Sequence, residues 1–167
     1  NGTGKTTLVQ SILGLLPITN GEIKLNSKSK EELVFGYVPQ SVNFSKHIQM
    51  TVSEYLKYSA SVPSDLIEET LGIVDFPETH LHNRLTELSG GQRQRITIAR
   101  ALVRKPKVLL LDEATTALDP QTEKAVVETL QNLKDDITII AVSHQARIAE
   151  VADCVYHLES GRIERVQ

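Results

Sequence analysis

Val108-Leu109-Leu110-Leu111 runs directly into Asp112-Glu113, and a helical pattern from about Gln121 to Leu133 separates it from a second apolar run, Ile137 to Val142. Neither run alternates apolar with polar residues, which is how a strand reads when a parallel sheet covers both its faces. Strand, helix and strand at this spacing make a βαβ unit, so the fold class is α/β. Open α/β sheets bind ligands at the carboxyl ends of their strands. Asp112, Glu113 and the pair Ser143-His144 are therefore expected at a binding edge rather than in the core.

Upstream, Asn1-Gly2-Thr3-Gly4-Lys5-Thr6-Thr7 is the second part of the phosphate-binding pattern GxxxxGK[ST]. Leu8, Val9, Ile12, Leu13 and Leu16 follow at helical spacing, which predicts a helix from Lys5 to Leu16 stopped by Pro17. Gly21 to Leu25 and Leu33 to Val38 read as short strands. Thr51 with Glu54 has the form of a capping box, with Val52, Tyr55, Leu56 and Ser59 at helical spacing behind it. A further short helix is predicted from Ser64 to about Leu71. Residues 45–88 thus read as a small helical insertion within one domain, whose core comprises 1–44 and 89–167.

The chemistry of these segments converges on phosphate. Glycines let backbone N–H groups close round an anion, and a following helix adds the positive end of its dipole. Lys5 would reach the β and γ phosphates, the Thr6 hydroxyl would ligate Mg²⁺, and Asp112 would hold that ion directly or through water. Glu113, one residue on, should point away from Asp112 because strand side chains alternate, which makes it a candidate to polarise an attacking water. His144 would face the γ phosphate, and Gln40, after Tyr37-Val38-Pro39, could orient water or meet the metal through its carbonyl oxygen.

Leu88-Ser89-Gly90-Gly91-Gln92-Arg93-Gln94-Arg95 supplies a second anion-binding helix start, with Ser89 as its cap and Ile96, Ala99, Leu102 and Val103 as its buried face. One triphosphate does not need two such helices from the same chain. The economical explanation is that Ser89, Gly90, Gly91 and Gln92 serve a nucleotide held by another copy. Six basic residues between Ser89 and Lys107 (Arg93, Arg95, Arg100, Arg104, Lys105, Lys107) read mostly as a solvated face with cations at a helix C-terminus.

The composition is that of a soluble globular protein: 40% apolar, 23% charged, net charge −3 over 167 residues. That balance gives no reason to expect nucleic acid. The single cysteine, Cys154, cannot form an internal disulfide, and no apolar run approaches the ~20 residues that span a bilayer.

Taken in order, NGTGKTT, YVPQ, LSGGQRQR, VLLLDEAT, ALD and VSH closely resemble the nucleotide-binding domain of ABC transporters, over essentially the whole chain. The resemblance implies a P-loop NTPase core with a mostly parallel sheet and a helical subdomain between the Gln loop and the signature. It implies that Asn1 to Thr7 bind ATP phosphates, with Thr6, Gln40 and Asp112 on Mg²⁺. It makes Glu113 the catalytic base, His144 the switch histidine and Asp119 the D-loop residue at a dimer interface. Partners would be a second cassette, in a homo- or heterodimer, and a transmembrane domain or subunit that brings the cassette to the cytoplasmic face of a membrane. Phe35 to Leu56 resembles cassettes of metal-ion and other importers, whereas DEATTALDP and Ala141 to Ile163 resemble exporters, so the reading leans to export. A soluble translation-type ATPase stays open as the alternative. Repair-type proteins are excluded because only 47 residues separate Gln40 from Leu88, too few for their coiled coils. The P-loop pattern is entered partway through, so the chain reads as a fragment whose upstream strand and adenine-stacking aromatic lie elsewhere, expected to fold poorly and bind ATP weakly as it stands.

Overall fold

The computed structural model describes residues 4–24, 33–40, 42, 44–45, 47–60, 63–116, 118–159 and 161–167. Asn1, Gly2, Thr3 and Leu25 lie outside the described residues.

Three strands, β1 (Phe35–Val38), β2 (Val108–Asp112) and β3 (Thr138–Val142), form a parallel sheet in the order β1-β2-β3. The register pairs Val38 with Leu111 and Asp112 with Val142, so the three strands end at one edge. Helix α1 (Lys5–Ile12) packs on β2, and the crossover between β2 and β3 carries α5 (Pro120–Leu133). The βαβ unit is thus present as the apolar runs predict. Helix α6 (Ala146–Val151) and an antiparallel hairpin of β4 (Tyr156–Glu159) and β5 (Arg162–Arg165) follow.

Between β1 and β2 lie α2 (Val52–Ala60), α3 (Ser64–Ile73), 3₁₀ turns at Glu78–His80 and Leu85–Glu87, and α4 (Gly90–Leu102). Thr51 and Glu54 close a capping box at the start of α2: the Thr51 N–H donates to Oε2 of Glu54 at 2.8 Å, and the Glu54 N–H to Oγ1 of Thr51 at 3.3 Å. The Thr51 N–H first, and then the Thr51 hydroxyl, which also donates to Oε2 at 2.9 Å, hold the Glu54 carboxyl below its ordinary value. Helix α4 is the hub of the core. Its Ile96, Ile98, Ala99 and Val103 are at most 1% exposed and belong to one cluster with Val38 and Leu109 of the sheet and Leu56, Leu71 and Leu85 of the insertion. Each such side chain contributes roughly 1.5–3 kcal/mol by leaving water. Gly36 makes the closest approach: a Cβ there would stand 2.7 Å from the Ala101 carbonyl oxygen, so only glycine lets β1 lie against α4.

Several expectations change. Helix α1 stops at Ile12, five residues before Pro17, because Gly14 (φ 71°) takes the left-handed conformation. The Leu15 N–H then reaches back to the Gln10 carbonyl at 2.9 Å and the Gly14 N–H to that of Ser11 at 3.0 Å, which is a Schellman stop. Residues 21–24 form no strand, and β1 starts at Phe35 rather than Leu33. Strand β3 is half-exposed rather than buried on both faces, since among the described residues it pairs only with β2. Three of the six basic residues are internal ties, not a solvated face. The Arg93 Nε donates to the Leu88 carbonyl at 3.0 Å, Arg95 Nη1 to Oδ2 of Asp75 at 2.9 Å, and Arg100 Nη2 to the Tyr37 carbonyl at 3.1 Å.

Candidate functional site

The carboxyl edge of the sheet gathers Gln40 from the end of β1, Asp112 and Glu113 from β2, and His144 from β3. Asp112 is the last residue of its strand and 3% exposed. No described residue donates a hydrogen bond to its carboxylate. Its charge is felt by Tyr37, whose phenol is pushed up first by burial and then by Asp112. Glu113 does not follow the alternation of β2, because the strand has ended. Its φ of 48° turns the chain left-handed, and its N–H donates to the Val142 carbonyl at 2.8 Å. That turn, rather than the pleat, aims the side chain.

The Glu113 carboxylate is 13% exposed and met on both oxygens. Gln40 Nε2 donates to Oε2 at 2.8 Å, and His144 Nε2 lies 3.5 Å from Oε1. The amide orientation leaves the Gln40 carbonyl oxygen free of Glu113 and available to a cation. A carboxylate held in this way at a sheet edge can take a proton from a water molecule.

Lys5, Thr6 and Thr7 form the first turn of α1, with Gly4 as N-cap at φ 89°. Thr6 and Thr7 are exposed, while Val9 behind them is buried. Among the described residues no hydrogen bond links Thr6 to Asp112. No group of three or more His, Cys, Asp and Glu side chains that could hold a metal is found among them either. What a cation could draw on is the buried Asp112 carboxylate, which accepts no hydrogen bond among the described residues, the Gln40 amide oxygen and, in the first turn of α1, the Thr6 hydroxyl. Such hard oxygen donors suit Mg²⁺ held jointly with phosphates and water.

A second cluster lies at the N-terminus of α4. Ser89 caps it in a capping box with Gln92: the Gln92 N–H donates to Oγ of Ser89 at 3.2 Å, and the Ser89 N–H to Oε1 of Gln92 at 2.9 Å. Asp119 caps α5, with Oδ1 accepting from the N–H groups of Gln121 and Thr122 at 3.1 Å each and Oδ2 from the Thr122 hydroxyl at 2.6 Å. The Thr122 hydroxyl and then its N–H hold the Asp119 carboxyl below its ordinary value. Both caps line one cleft of about 450 Å³ with Gly90, Gly91 and Arg95. Thr122 lies against Gly91, where a Cβ would come within 3.0 Å of it.

The structure therefore joins Gln40, Glu113 and His144 in one cluster and Ser89, Gly90, Gly91, Gln92 and Asp119 in another. Sequence patterns did not disclose two cross-links. One is the Thr122–Gly91 approach. The other joins Gln145 to Thr115, whose 30-residue separation leaves no local signal.

A helix that opens on Gly4-Lys5-Thr6-Thr7 and packs on β2 of a parallel sheet defines an α/β protein of the P-loop class. The sequence matches the ABC transporter family over residues 1–116, and the chain belongs to that family. It is 36% identical over 155 residues to the zinc import ATP-binding protein ZnuC of Ruegeria pomeroyi, covering 91% of this chain and 58% of that protein. A Rickettsia bellii protein, named for export as an ATP-binding/permease protein, is 32% identical over 98% of this chain and 31% of its own length. A dimeric ATP-binding cassette, solved in a post-hydrolysis state bound to ADP and Pi, superposes with a TM-score of 0.80 at 28% identity, covering 99% of this chain and 82% of its own. The chain spans little more than half the length of the zinc-import relative.

Proposed function

We propose that this chain is the ATP-binding and hydrolysing part of an ABC transporter, closing with a second cassette on two ATP and Mg²⁺ to drive a substrate across a membrane. The observation that carries the reading is the cluster of Gln40, Glu113 and His144, whose polar atoms address both oxygens of one half-buried carboxylate. Glu113 acts as the base toward water and His144 reads the γ phosphate. The loop through Thr7 cradles the phosphates, and Thr6, Gln40 and Asp112 hold the metal. When bound, Mg²⁺ neutralises charge on the β and γ oxygens. Ser89, Gly90, Gly91 and Gln92 close over the partner's ATP, with Asp119 beside them at the interface.

No helix among the described residues is long and apolar enough to cross a membrane, so the membrane part is a further domain or subunit. The helical insertion offers it a hollow lined by Ile48, Gln49, Met50, Glu54, Lys57 and Tyr58, in which Tyr58 is 84% exposed. Export is the finer reading, supported by DEATTALDP and the segment Ala141 to Ile163. Efflux rather than uptake by vesicles carrying the full transporter checks the direction.

Glu113→Gln in the full-length protein tests the chemistry. Turnover should fall by about 10²–10⁴-fold while ATP binding persists, leaving a dimer stable enough to isolate by size exclusion. Undiminished steady-state hydrolysis would remove Glu113 from the role.

A further inference from the structure

The side chain of Gln145 spans the two loops on which Glu113 and His144 stand. Thr115, two residues past Glu113, is 3% exposed. Its hydroxyl donates to Oε1 of Gln145, and Nε2 of Gln145 donates back to the Thr115 carbonyl at 3.2 Å. The amide thus uses both of its ends on one buried residue. Although Gln145 sits at the N-cap of α6, its side chain caps nothing there. Its own N–H donates to Oγ of Ser143 at 3.0 Å, which closes a tight turn around His144.

The Thr115 side of this brace is itself fixed. Its carbonyl also accepts from the Leu118 N–H at 3.1 Å, and Thr116 donates to the Glu113 carbonyl from its N–H at 3.2 Å and its hydroxyl at 2.9 Å. The His144 side is not. Its side chain is 64% exposed, and its polar neighbour among the described residues is Glu113, at 3.5 Å. An exposed imidazole at the end of a half-exposed edge strand has many positions open to it, and each unproductive one lowers the rate.

We propose that Gln145 is a positioning residue: by clamping the His144 turn to Thr115, it sets where the imidazole stands relative to Glu113. The proposal rests on the reading that Glu113 and His144 serve ATP hydrolysis. Gln145 spends both ends of its amide on Thr115 and so acts through His144. Its loss should therefore appear in kcat rather than in KM, and only while His144 is present.

The test is a double-mutant cycle in MgATP turnover by the full-length protein. Gln145→Ala should lower kcat about tenfold and leave KM within about twofold. His144→Ala should cost more, and Gln145→Ala combined with His144→Ala should be no slower than His144→Ala alone. Thr115→Val, nearly the same volume without the hydroxyl, should give a smaller kcat loss with the same non-additivity, and it serves if Gln145→Ala fails to fold. An undiminished kcat in both variants, or losses that multiply with that of His144→Ala, would overturn the proposal. A wild-type protein that turns over ATP beside a full-rate Gln145→Ala sinks the positioning role alone. A wild-type protein without turnover sinks the underlying reading, and the proposal with it.

Discussion

The carboxyl edge of the sheet and the cleft at the start of α4 are built by opposite means. Gln40, Glu113 and His144 come from three separate strand ends, and the bond from Gln40 to Glu113 spans 73 residues. Ser89 with Gln92 and Asp119 with Thr122 are closed loops of hydrogen bonds within three residues. The edge is therefore a product of topology and holds its geometry only when the sheet is in register. The cleft is assembled from two helix starts, each able to form by itself. Helix α4 connects the two, with its N-terminus in the cleft and its C-terminal turn against β1 at Gly36.

The sharpest way to break this comparison is Ser89→Arg, which fills the cleft without touching the edge. Steady-state hydrolysis should be lost, because each site would lack its second half. Mixing these chains with Lys5→Ala chains should restore activity through one composite site. Recovery no greater than that of either variant alone would mean that edge and cleft do not belong to different protomers' sites, or that both sites must fire together.

Gly36→Ala should act on the edge and the cleft together, since the added Cβ meets backbone at 2.7 Å and β1 or α4 must shift. Overpacking of this kind costs about 1–3 kcal/mol. Chemical denaturation should show the loss, with turnover reduced in the molecules that remain folded. A variant as stable as the wild type would show that β1 is not tightly held to α4.

The smallest effect is that of acid on the helix caps. Asp119 and Glu54 both have carboxyls held below their ordinary values of 3.8 and 4.5. Each binds a proton less readily in the folded chain than in the unfolded one. Their support is therefore complete at neutral pH, and it is withdrawn as pH falls below those values and through the folded ones. Asp119→Asn should flatten the part of the acid-unfolding curve that belongs to α5, because it lowers stability slightly at neutral pH, toward the value the wild type reaches in acid. An unaltered curve would remove that carboxyl from the cap's energetics.

How much of this was legible follows the same division. The Thr51–Glu54 capping box, the Ser89 cap at the start of α4 and the βαβ unit were readable, because their signals are local or periodic. The end of α1 was misread at Pro17, since a single glycine in the left-handed conformation stops a helix earlier than a proline further on. The separate aim of Glu113 has a different cause from the one expected, because alternation applies only while a strand continues, and β2 ends at Asp112. Arg93, Arg95 and Arg100 look like solvent charges in one dimension; their partners become visible only once the helix is buried. The brace from Gln145 to Thr115 has no pattern at all, being a contact between two loops that the sheet brings together.

Glu113 occupies a backbone setting that suits glycine or asparagine better than a carboxylic acid. Holding an ordinary residue at φ 48° costs roughly 1–2 kcal/mol, a sizeable share of the about 5–15 kcal/mol by which domains are stable. Under the proposed function, durability and turnover therefore pull in opposite directions at this one position. Selection for heat resistance alone, blind to ATP, would drift toward glycine there and yield a sturdier chain without the proposed base.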